Sequence, residues 1–136
     1  MKRRDFQSLA AIRLKEARHL LQKQCWDGAY YLAGYAVEFG LKACIAKQTE
    51  RHEFPDKDRT RQSYVHDFLV LVKVAGLDAA LKSAENRPEF AANWQIVRNW
   101  KPDSRYERRT QAEAEELLNA IKDRKQGVLR WLKEHW

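Results

Sequence analysis

One stretch in the first half of the chain limits what the protein can fold into. Residues 30–46, YYLAGYAVEFGLKACIA, are apolar or small at every position except Glu38 and Lys42. Small residues recur here at alternating steps of four and three, which places them on one line along a helix: Ala29, Ala33, Ala36, Gly40 and Ala43. Such a line lets a neighbouring helix approach closely. A bulkier stripe lies beside it, so the sequence predicts a central helix, running to about Gln48 and contacted on more than one side.

The two charged residues of this stretch stand one helical turn apart. A Glu four residues before a Lys is a favourable helical pair, but it contributes only about a few tenths of a kcal/mol where it is exposed. Between apolar neighbours an unpaired charge is costly, so we expect Glu38 and Lys42 to satisfy each other or to face a polar pocket. No second carboxylate lies nearby in the sequence, so the paired-acid site of a glycosidase is not indicated.

Helical periodicity and breaking residues divide the neighbouring segments. Residues from about 5 to 24 show an amphipathic pattern, which the sequence WDG at 26–28 interrupts, and Asp27 offers a cap for the central helix. Residues 50–61, ERHEFPDKDRTR, have many charges and no periodicity, which predicts an exposed loop. Ser63 offers a cap for YVHDFLVLVKVAG, whose valines also suit a strand. Because no other segment resembles a strand partner, we predict a short helix there.

Two capping patterns mark helix starts in the second half of the chain. Asn86, followed by Pro88 and Glu89, predicts a start leading into EFAANWQIVRNW. Thr110 and Glu113 form a T-x-x-E capping box at the start of one last helix. The predicted core side of that helix carries Ala114, Leu117, Leu118, Ile121, Val128, Leu132 and Trp136.

These patterns together predict an all-α fold. We expect an antiparallel up-down helical bundle of four main helices plus one or two short helices, forming a single domain over residues 1–136. Phosphate-binding loops and dinucleotide motifs depend on strands, and none occurs in the sequence, so no cofactor is expected.

Composition narrows the environment and the partners. The formal net charge is +7, which favours an anionic partner but is also a common aid to solubility. Cys25 and Cys44 have no spacing suited to zinc, so we expect no metal, and free thiols are typical of the cytoplasm. The N-terminus repeats charges and lacks the apolar segment of a signal peptide. The apolar stretch falls short of the roughly 20 residues that span a bilayer, so we expect a cytoplasmic protein with no membrane contact.

Two groups of residues could carry chemistry. Arg61 could neutralise a phosphate, and His66, in the first turn of the predicted short helix, could move a proton. The alternative is that His66 packs or caps at a helix start and Arg61 is a solvated loop charge. This spacing alone favours the alternative.

The second group interleaves cations with aromatic rings in NWQIVRNWKPDSRYERR. Such an arrangement can grip a phosphate backbone while a base stacks on a ring, and it would use Arg98, Lys101, Arg105, Tyr106 and Arg109. The alternative is that Trp94 and Trp100 anchor the core while the arginines pair with Asp103 and Glu107. For the tryptophans we favour burial, because large aromatics in a small bundle are usually buried.

Five short elements together resemble the HEPN family (higher eukaryotes and prokaryotes nucleotide-binding). They are Ala36-Val37-Glu38, Leu41-Lys42-Ala43, His66-Asp67-Phe68-Leu69, Trp100-Lys101-Pro102 and Arg105-Tyr106. The A-x-E-x-x-L-K-A pattern is fairly specific in an all-helical protein of this size, and the resemblance covers nearly the whole chain. It implies a bundle of four or more helices that pairs as a two-fold homodimer.

The resemblance also implies two kinds of activity. HEPN proteins act as metal-independent endoribonucleases, often as toxins of toxin–antitoxin pairs, or as companions of small nucleotidyltransferases. In the nucleases an Arg, four to six residues and a His form the motif at the dimer interface, and Arg61 and His66 match that spacing. By this resemblance His66 would be the general acid/base for attack by a ribose 2′-hydroxyl, and Arg61 would hold the scissile phosphate.

Three hypotheses follow. We favour a dimeric module that binds RNA, a nucleotide, or a nucleotidyltransferase or antitoxin partner without cleaving anything, because fold-level analogy does not establish catalysis. The alternative is an endoribonuclease toxin using Arg61 and His66, and the third is a scaffold that binds only protein. Glu38 and Lys42 are interpreted as structural first, with a role in lining the dimer cleft as a further hypothesis.

Overall fold

The structure, a computed structural model, describes residues 1–51 and 66–136. Within these ranges the chain forms seven α-helices and one 3-10 helix and contains no strand: α1 Arg3–Gln22, α2 Trp26–Arg51, α3 Phe68–Val74, α4 Asp78–Ala84, α5 Pro88–Arg98, η1 Pro102–Tyr106, α6 Gln111–Lys122 and α7 Val128–Lys133. The all-α class is confirmed for this part of the chain. The up-down arrangement of four main helices stays a prediction. Ser63 and most of the predicted 50–61 loop lie outside the described residues.

A tight turn connects α1 to α2. Gln24 takes a positive φ of 61°, and the Cys25 N–H donates to the Leu20 carbonyl at 2.9 Å, closing the end of α1. The predicted cap at Asp27 is wrong, because α2 already begins at Trp26 and Asp27 lies within its first turn. Its carboxylate instead accepts the backbone N–H of Arg109 at 2.6 Å, which fastens the segment before α6 to the start of α2.

Helix α2 is the central element, as its sequence predicts. All five residues of the small-residue line are buried, and α2 contacts α1, α3, η1, α6 and α7. At Gly40 the fit is close, since a Cβ there would lie 3.0 Å from Leu132 Cδ1 in α7. The missing side chains therefore admit the neighbouring helices.

The single last helix predicted from Thr110 to the C-terminus is wrong. Asp123 leaves the helical region with φ −52° and ψ 134°, and its carboxylate accepts the backbone N–H groups of Lys125 and Gln126 at 3.2 and 2.7 Å. An Asp that offers the backbone such partners competes with helix continuation. The predicted core positions on both sides of the break are nevertheless buried, apart from the partly buried Trp136.

Local capping follows the sequence in one case and departs from it in another. The Thr110 hydroxyl accepts the Glu113 N–H at 3.2 Å while the Glu113 carboxylate accepts the Thr110 N–H at 3.1 Å, so the capping box is confirmed. Asn86 does not cap α5: Arg87 holds that position and Pro88 is the first helical residue. The Asn86 N–H closes a turn onto the Ser83 carbonyl at 3.2 Å instead.

One hydrophobic cluster includes buried side chains from each of the helices α1 through α7 and from the segment between α5 and η1. Trp94 and Trp100 are each 1% exposed, which confirms the prediction that both anchor the core. Among residues 1–51 and 66–136, no helix combines the length and apolar character that crossing a membrane requires.

Candidate functional site

The buried carboxylate of Glu38 lies at the centre of a polar cluster with Lys42 and His66. The Glu38 side chain is 2% exposed although all its neighbours along α2 are apolar or small, except Lys42. Lys42 Nζ lies 3.4 Å from Glu38 Oε2 and is itself largely buried, with 15% of the side chain exposed. The predicted pairing of these two residues is therefore confirmed.

His66 completes the set of partners around this carboxylate. Its Nδ1 lies 2.5 Å from Glu38 Oε1, yet 48% of the His66 side chain is exposed. A histidine that faces an ionised carboxylate donates through the facing nitrogen, so Nδ1 carries a proton and Nε2 is left for another partner. Glu38 thus fixes the ring orientation of a half-open histidine from beneath.

The position of His66 differs from the prediction. We expected it in the first turn of a helix, but it precedes Asp67, which is the N-cap of α3. The Asp67 carboxylate accepts the N–H groups of Leu69 and Val70 at 2.9 and 3.3 Å, so the helix begins only at Phe68. This extra extended step places His66 beside α2.

Two tyrosines continue the stripe of α2 that carries Glu38. The hydroxyls of Tyr31 and Tyr35 lie 3.5 Å apart. Burial first, then the Tyr31 hydroxyl, and then the charge of Glu38 raise the pKa of Tyr35, while the charge of Arg105 opposes the shift. Tyr35 therefore stays a neutral hydroxyl at physiological pH, and charges from both α2 and η1 act on it.

Trp100 joins α3 and η1 to this stripe. Its ring stacks on Phe68 at 5.4 Å with an interplanar angle of 7°, and it meets Tyr35 edge-on at 5.1 Å. Gly34 makes room for it, because a Cβ there would lie 2.0 Å from the Trp100 ring. The packing joins the segment directly before η1 to the N-terminal end of α3 and to α2, and η1 itself contacts α2.

Arg105 and Tyr106 lie on η1 and are both exposed. The Arg105 guanidinium carbon lies 4.6 Å from the centre of the Tyr106 ring, and Tyr106 is 76% exposed. A large aromatic residue this open contributes little to the core. Glu38 joins His66 to α2, and the charge of Arg105 acts on Tyr35 of the same helix face. We give the name His66 face to the set of residues that these contacts connect: Tyr31, Tyr35, His66, Arg105 and Tyr106, with Glu38 and Lys42.

The other predicted binding residues lie apart from this surface or have partners already. Arg109 pairs with Glu107 and Glu113, and its guanidinium lies 4.1 Å from the centre of the Tyr30 ring. Tyr30 is eight residues before Glu38, which is about 12 Å along the axis of α2. Arg98 is half-buried in the last turn of α5, and Lys101 is exposed directly before η1.

Three further expectations concern Arg61, the ion pairs of the arginines and a metal site. Arg61 lies outside the described residues, so its role with His66 in the nuclease motif stays a prediction. The expected pairing of arginines with Glu107 occurs at Arg109, whereas Arg108 pairs with Asp27 at 2.8 Å. Within the described ranges, no group of three or more His, Cys, Asp or Glu side chains is placed to hold a metal ion.

Sequence reasoning missed the two tyrosines of the His66 face. Tyr31, Tyr35, Glu38 and Lys42 follow one another at steps of four, three and four, which is the spacing of a single helix face. That spacing was available as a signal. The spacing alone does not show which residues pack against the tyrosines, because Trp100 and Arg105 come from a distant part of the chain.

Comparisons of the chain with models of protein families, with curated proteins and with solved structures found no match. The resemblance to the HEPN family therefore depends on the five short elements themselves. Chemically, the His66 face offers an oriented imidazole nitrogen, a guanidinium, neutral phenol hydroxyls and an open aromatic ring. These groups can bind a phosphate and stack against a base, and the imidazole can also transfer a proton.

Proposed function

We propose that this protein is a HEPN-like module that binds RNA or a nucleotide through the His66 face. One observation carries the proposal: the Glu38 carboxylate holds Nδ1 of His66 at 2.5 Å while about half of the imidazole side chain stays open to a ligand. If His66 served only as a partner for Glu38, its ring could be buried, as the Glu38 side chain is. Its exposure leaves the second ring nitrogen accessible to a ligand.

The neighbouring groups support a nucleotide as the ligand. Arg105 provides a guanidinium for phosphate, and the 76%-exposed Tyr106 provides a ring on which a base can stack. Stacking of a base on an aromatic side chain contributes about 1–3 kcal/mol. The net charge of +7 adds a long-range attraction for anions.

The proposal includes the biological setting that the resemblance implies. The module would act as a homodimer in a toxin–antitoxin-type system, with a nucleotidyltransferase or an antitoxin as a partner, and in the cytoplasm. The dimer cleft would contain the His66 face, with Glu38 and Lys42 beneath it. Size-exclusion chromatography with light scattering measures the oligomeric state directly, and a monomer at micromolar concentration contradicts this part.

Binding to a labelled single-stranded RNA and to a labelled nucleotide, followed by fluorescence anisotropy, tests the proposal. We expect Tyr106→Ala and Arg105→Ala each to weaken binding by about tenfold. Lys82→Ala removes a cation of α4 that is also exposed and is the matched control, because a general charge effect would weaken both cation variants alike. Unchanged affinity in Tyr106→Ala and His66→Ala contradicts binding at this face.

A second candidate function is a metal-independent endoribonuclease. The observation that favours it is the same Glu38–His66 contact, since a carboxylate that orients an imidazole also stabilises its protonated form during proton transfer. The test is incubation with single-stranded RNA in excess EDTA. If wild type cleaves while His66→Ala and Arg61→Ala do not, the enzyme is established. If wild type binds RNA and leaves it intact, the binding module stands alone.

A further inference from the structure

A basic groove runs between α1 and the junction of α6 with α7. Its floor is apolar, formed by Leu14 of α1 and Leu129 of α7 with Ile121 at one end. Six exposed cations line its walls: Lys15, Arg18, Lys122, Arg124, Arg130 and Lys133. We call this surface the α1–α7 groove.

Four arginines elsewhere in the described chain form ion pairs, but the cations of this groove do not. Among residues 1–51 and 66–136, none of the six takes part in an ion pair, whereas Arg3, Arg13, Arg108 and Arg109 each have a carboxylate partner. Lys133 Nζ lies 5.9 Å from the centre of the Trp136 ring. Residues 1–51 and 66–136 provide no carboxylate partner for these charges, and their mutual repulsion opposes compactness.

Negative charge is scarce in the lining. Asp123 is the one acidic residue among the described residues that line the groove, and its carboxylate accepts the backbone N–H groups of Lys125 and Gln126. The charge of the lining is therefore predominantly positive, and its cations come from α1, α6 and α7 and from the segment between α6 and α7.

The groove lies on the other side of α2 from the His66 face. Gly40 of α2 faces Leu132 and Leu129 of α7, while Glu38 faces His66. Two residues along an α-helix differ by about 200° in direction, because each residue turns the helix by about 100°. The two surfaces are therefore separate, and a ligand in one does not occupy the other.

We infer that the α1–α7 groove binds the phosphate backbone of a nucleic-acid duplex, without reading its sequence. Lys and Arg side chains that neutralise phosphates supply most of the affinity of such contacts. A protein partner fits less well, because stable protein interfaces are centred on buried apolar or aromatic anchors and are depleted in lysine. The floor here holds only small strips of Leu14 and Leu129 between the cations.

This inference does not depend on the proposed function, because the His66 face plays no part in it. The two sites could act together, with the groove holding a structured part of an RNA while the His66 face holds an unpaired nucleotide. Either could also exist without the other. The experiment therefore compares variants of each surface on the same two probes.

The test is a salt titration of binding to a short RNA duplex, with the double variant Arg18→Glu and Lys133→Glu. We expect about tenfold or greater loss of affinity, and a plot of log K against log salt that is shallower by about 1–2. The control is Arg4→Glu with Lys82→Glu, which changes net charge equally at exposed positions outside the groove. His66→Ala and Tyr106→Ala should leave duplex binding unchanged, whatever they do to single-stranded RNA.

Three results would overturn the inference. One is the absence of duplex binding by wild type at low salt, and another is equal loss in the groove and control variants, which would reduce the effect to net charge. The third is displacement of the duplex by poly-glutamate at matched charge concentration, which would indicate an acidic protein partner. Far-ultraviolet circular dichroism of both double variants verifies that these surface changes leave the fold intact.

Discussion

The carboxylate of Glu38 holds two side chains at once, Lys42 at 3.4 Å and His66 at 2.5 Å. Glu38→Gln keeps the shape but removes the charge and turns one acceptor into a donor that faces a cation or a donating ring nitrogen. We expect a loss of about 1–3 kcal/mol in the free energy of unfolding. Chemical denaturation followed by tryptophan fluorescence measures it.

A double-mutant cycle separates the contributions at this residue. Lys42→Gln should cost less than Glu38→Gln, because Lys42 is more exposed and the carboxylate keeps His66 as a partner. The double variant should be more stable than the sum of the single changes implies. If Glu38→Gln abolished RNA binding while the melting temperature stayed unchanged, the structural interpretation of this pair would be wrong.

Gly34 provides a second residue-level test. Alanine in a helix interior gains about 1 kcal/mol over glycine, but a Cβ at this position would lie 2.0 Å from the Trp100 ring. The ring is fully packed, so Gly34→Ala must displace Trp100 and η1, and we expect a net loss of about 2 kcal/mol or more. Gly28→Ala is the control, since its Cβ would meet only the flexible end of Leu20 at 3.1 Å. Equal stability of the two variants contradicts the close approach.

Single residues were predictable where the partner is local. The Glu38–Lys42 pair follows from a spacing of four on one helix, and the burial of Trp94 and Trp100 follows from their size. His66 is 28 residues from Glu38 in sequence, beyond a segment without periodicity, so no local rule could bring the two together. The contact between Glu38 and His66 could therefore be recognised only from the three-dimensional structure.

At the scale of elements, the capping box of α6 predicts a pH dependence of stability. The N–H of Thr110, its hydroxyl and the Arg109 guanidinium lower the pKa of Glu113 below its ordinary value of 4.5. A group whose pKa is lower in the folded state stabilises the fold above the ordinary pKa, and this contribution disappears as the pH falls through the folded-state value. The melting temperature should therefore fall between pH 7 and pH 3, and it should fall less in the Glu113→Gln variant.

Removing the cap tests the same element at neutral pH. Thr110→Ala deletes the acceptor for the Glu113 N–H and should destabilise the protein by about 1 kcal/mol. Thr49→Ala is the matched control, because the Thr49 hydroxyl donates to the Ile45 carbonyl within α2, an interaction that adds little to a helix. A larger effect at Thr49 than at Thr110 would contradict this account of α6.

Whole elements were predicted with uneven success, for a physical reason. The helical class, the central α2 and the start of α6 follow from periodicity and from a reciprocal capping pair. The break at residues 123–127 could not be predicted from periodicity, because the apolar positions before and after it fit one face of a single continuous helix. Asp123 interrupts the helix through its own backbone contacts, which an amphipathic pattern does not register.

At the scale of the molecule, charge shows the limit of sequence reasoning most clearly. The net charge of +7 follows from the residue counts alone, whereas the distribution of the charges over the surface depends on the fold. Lys15 and Arg18 come from α1, whereas Lys122 and Lys133 lie more than a hundred residues later and reach the same groove only because α1, α6 and α7 all pack around α2. The fold therefore brings cations that are spread along the sequence together on one surface, the α1–α7 groove.

The two thiols report on how the whole molecule opens. Cys25 is exposed, but Cys44 is 1% exposed, and burial raises the pKa of its thiol to about 12. An alkylating reagent should therefore modify Cys25 at once and Cys44 only after the contact between α2 and α7 opens. In a Cys25→Ser background, Gly34→Ala should speed labelling of Cys44 by about tenfold per 1.4 kcal/mol lost, provided that the core opens as one unit. Trp100 packs on the other side of α2, so a labelling rate unaffected by Gly34→Ala would mean that α7 detaches alone, and the core would then consist of two units rather than one.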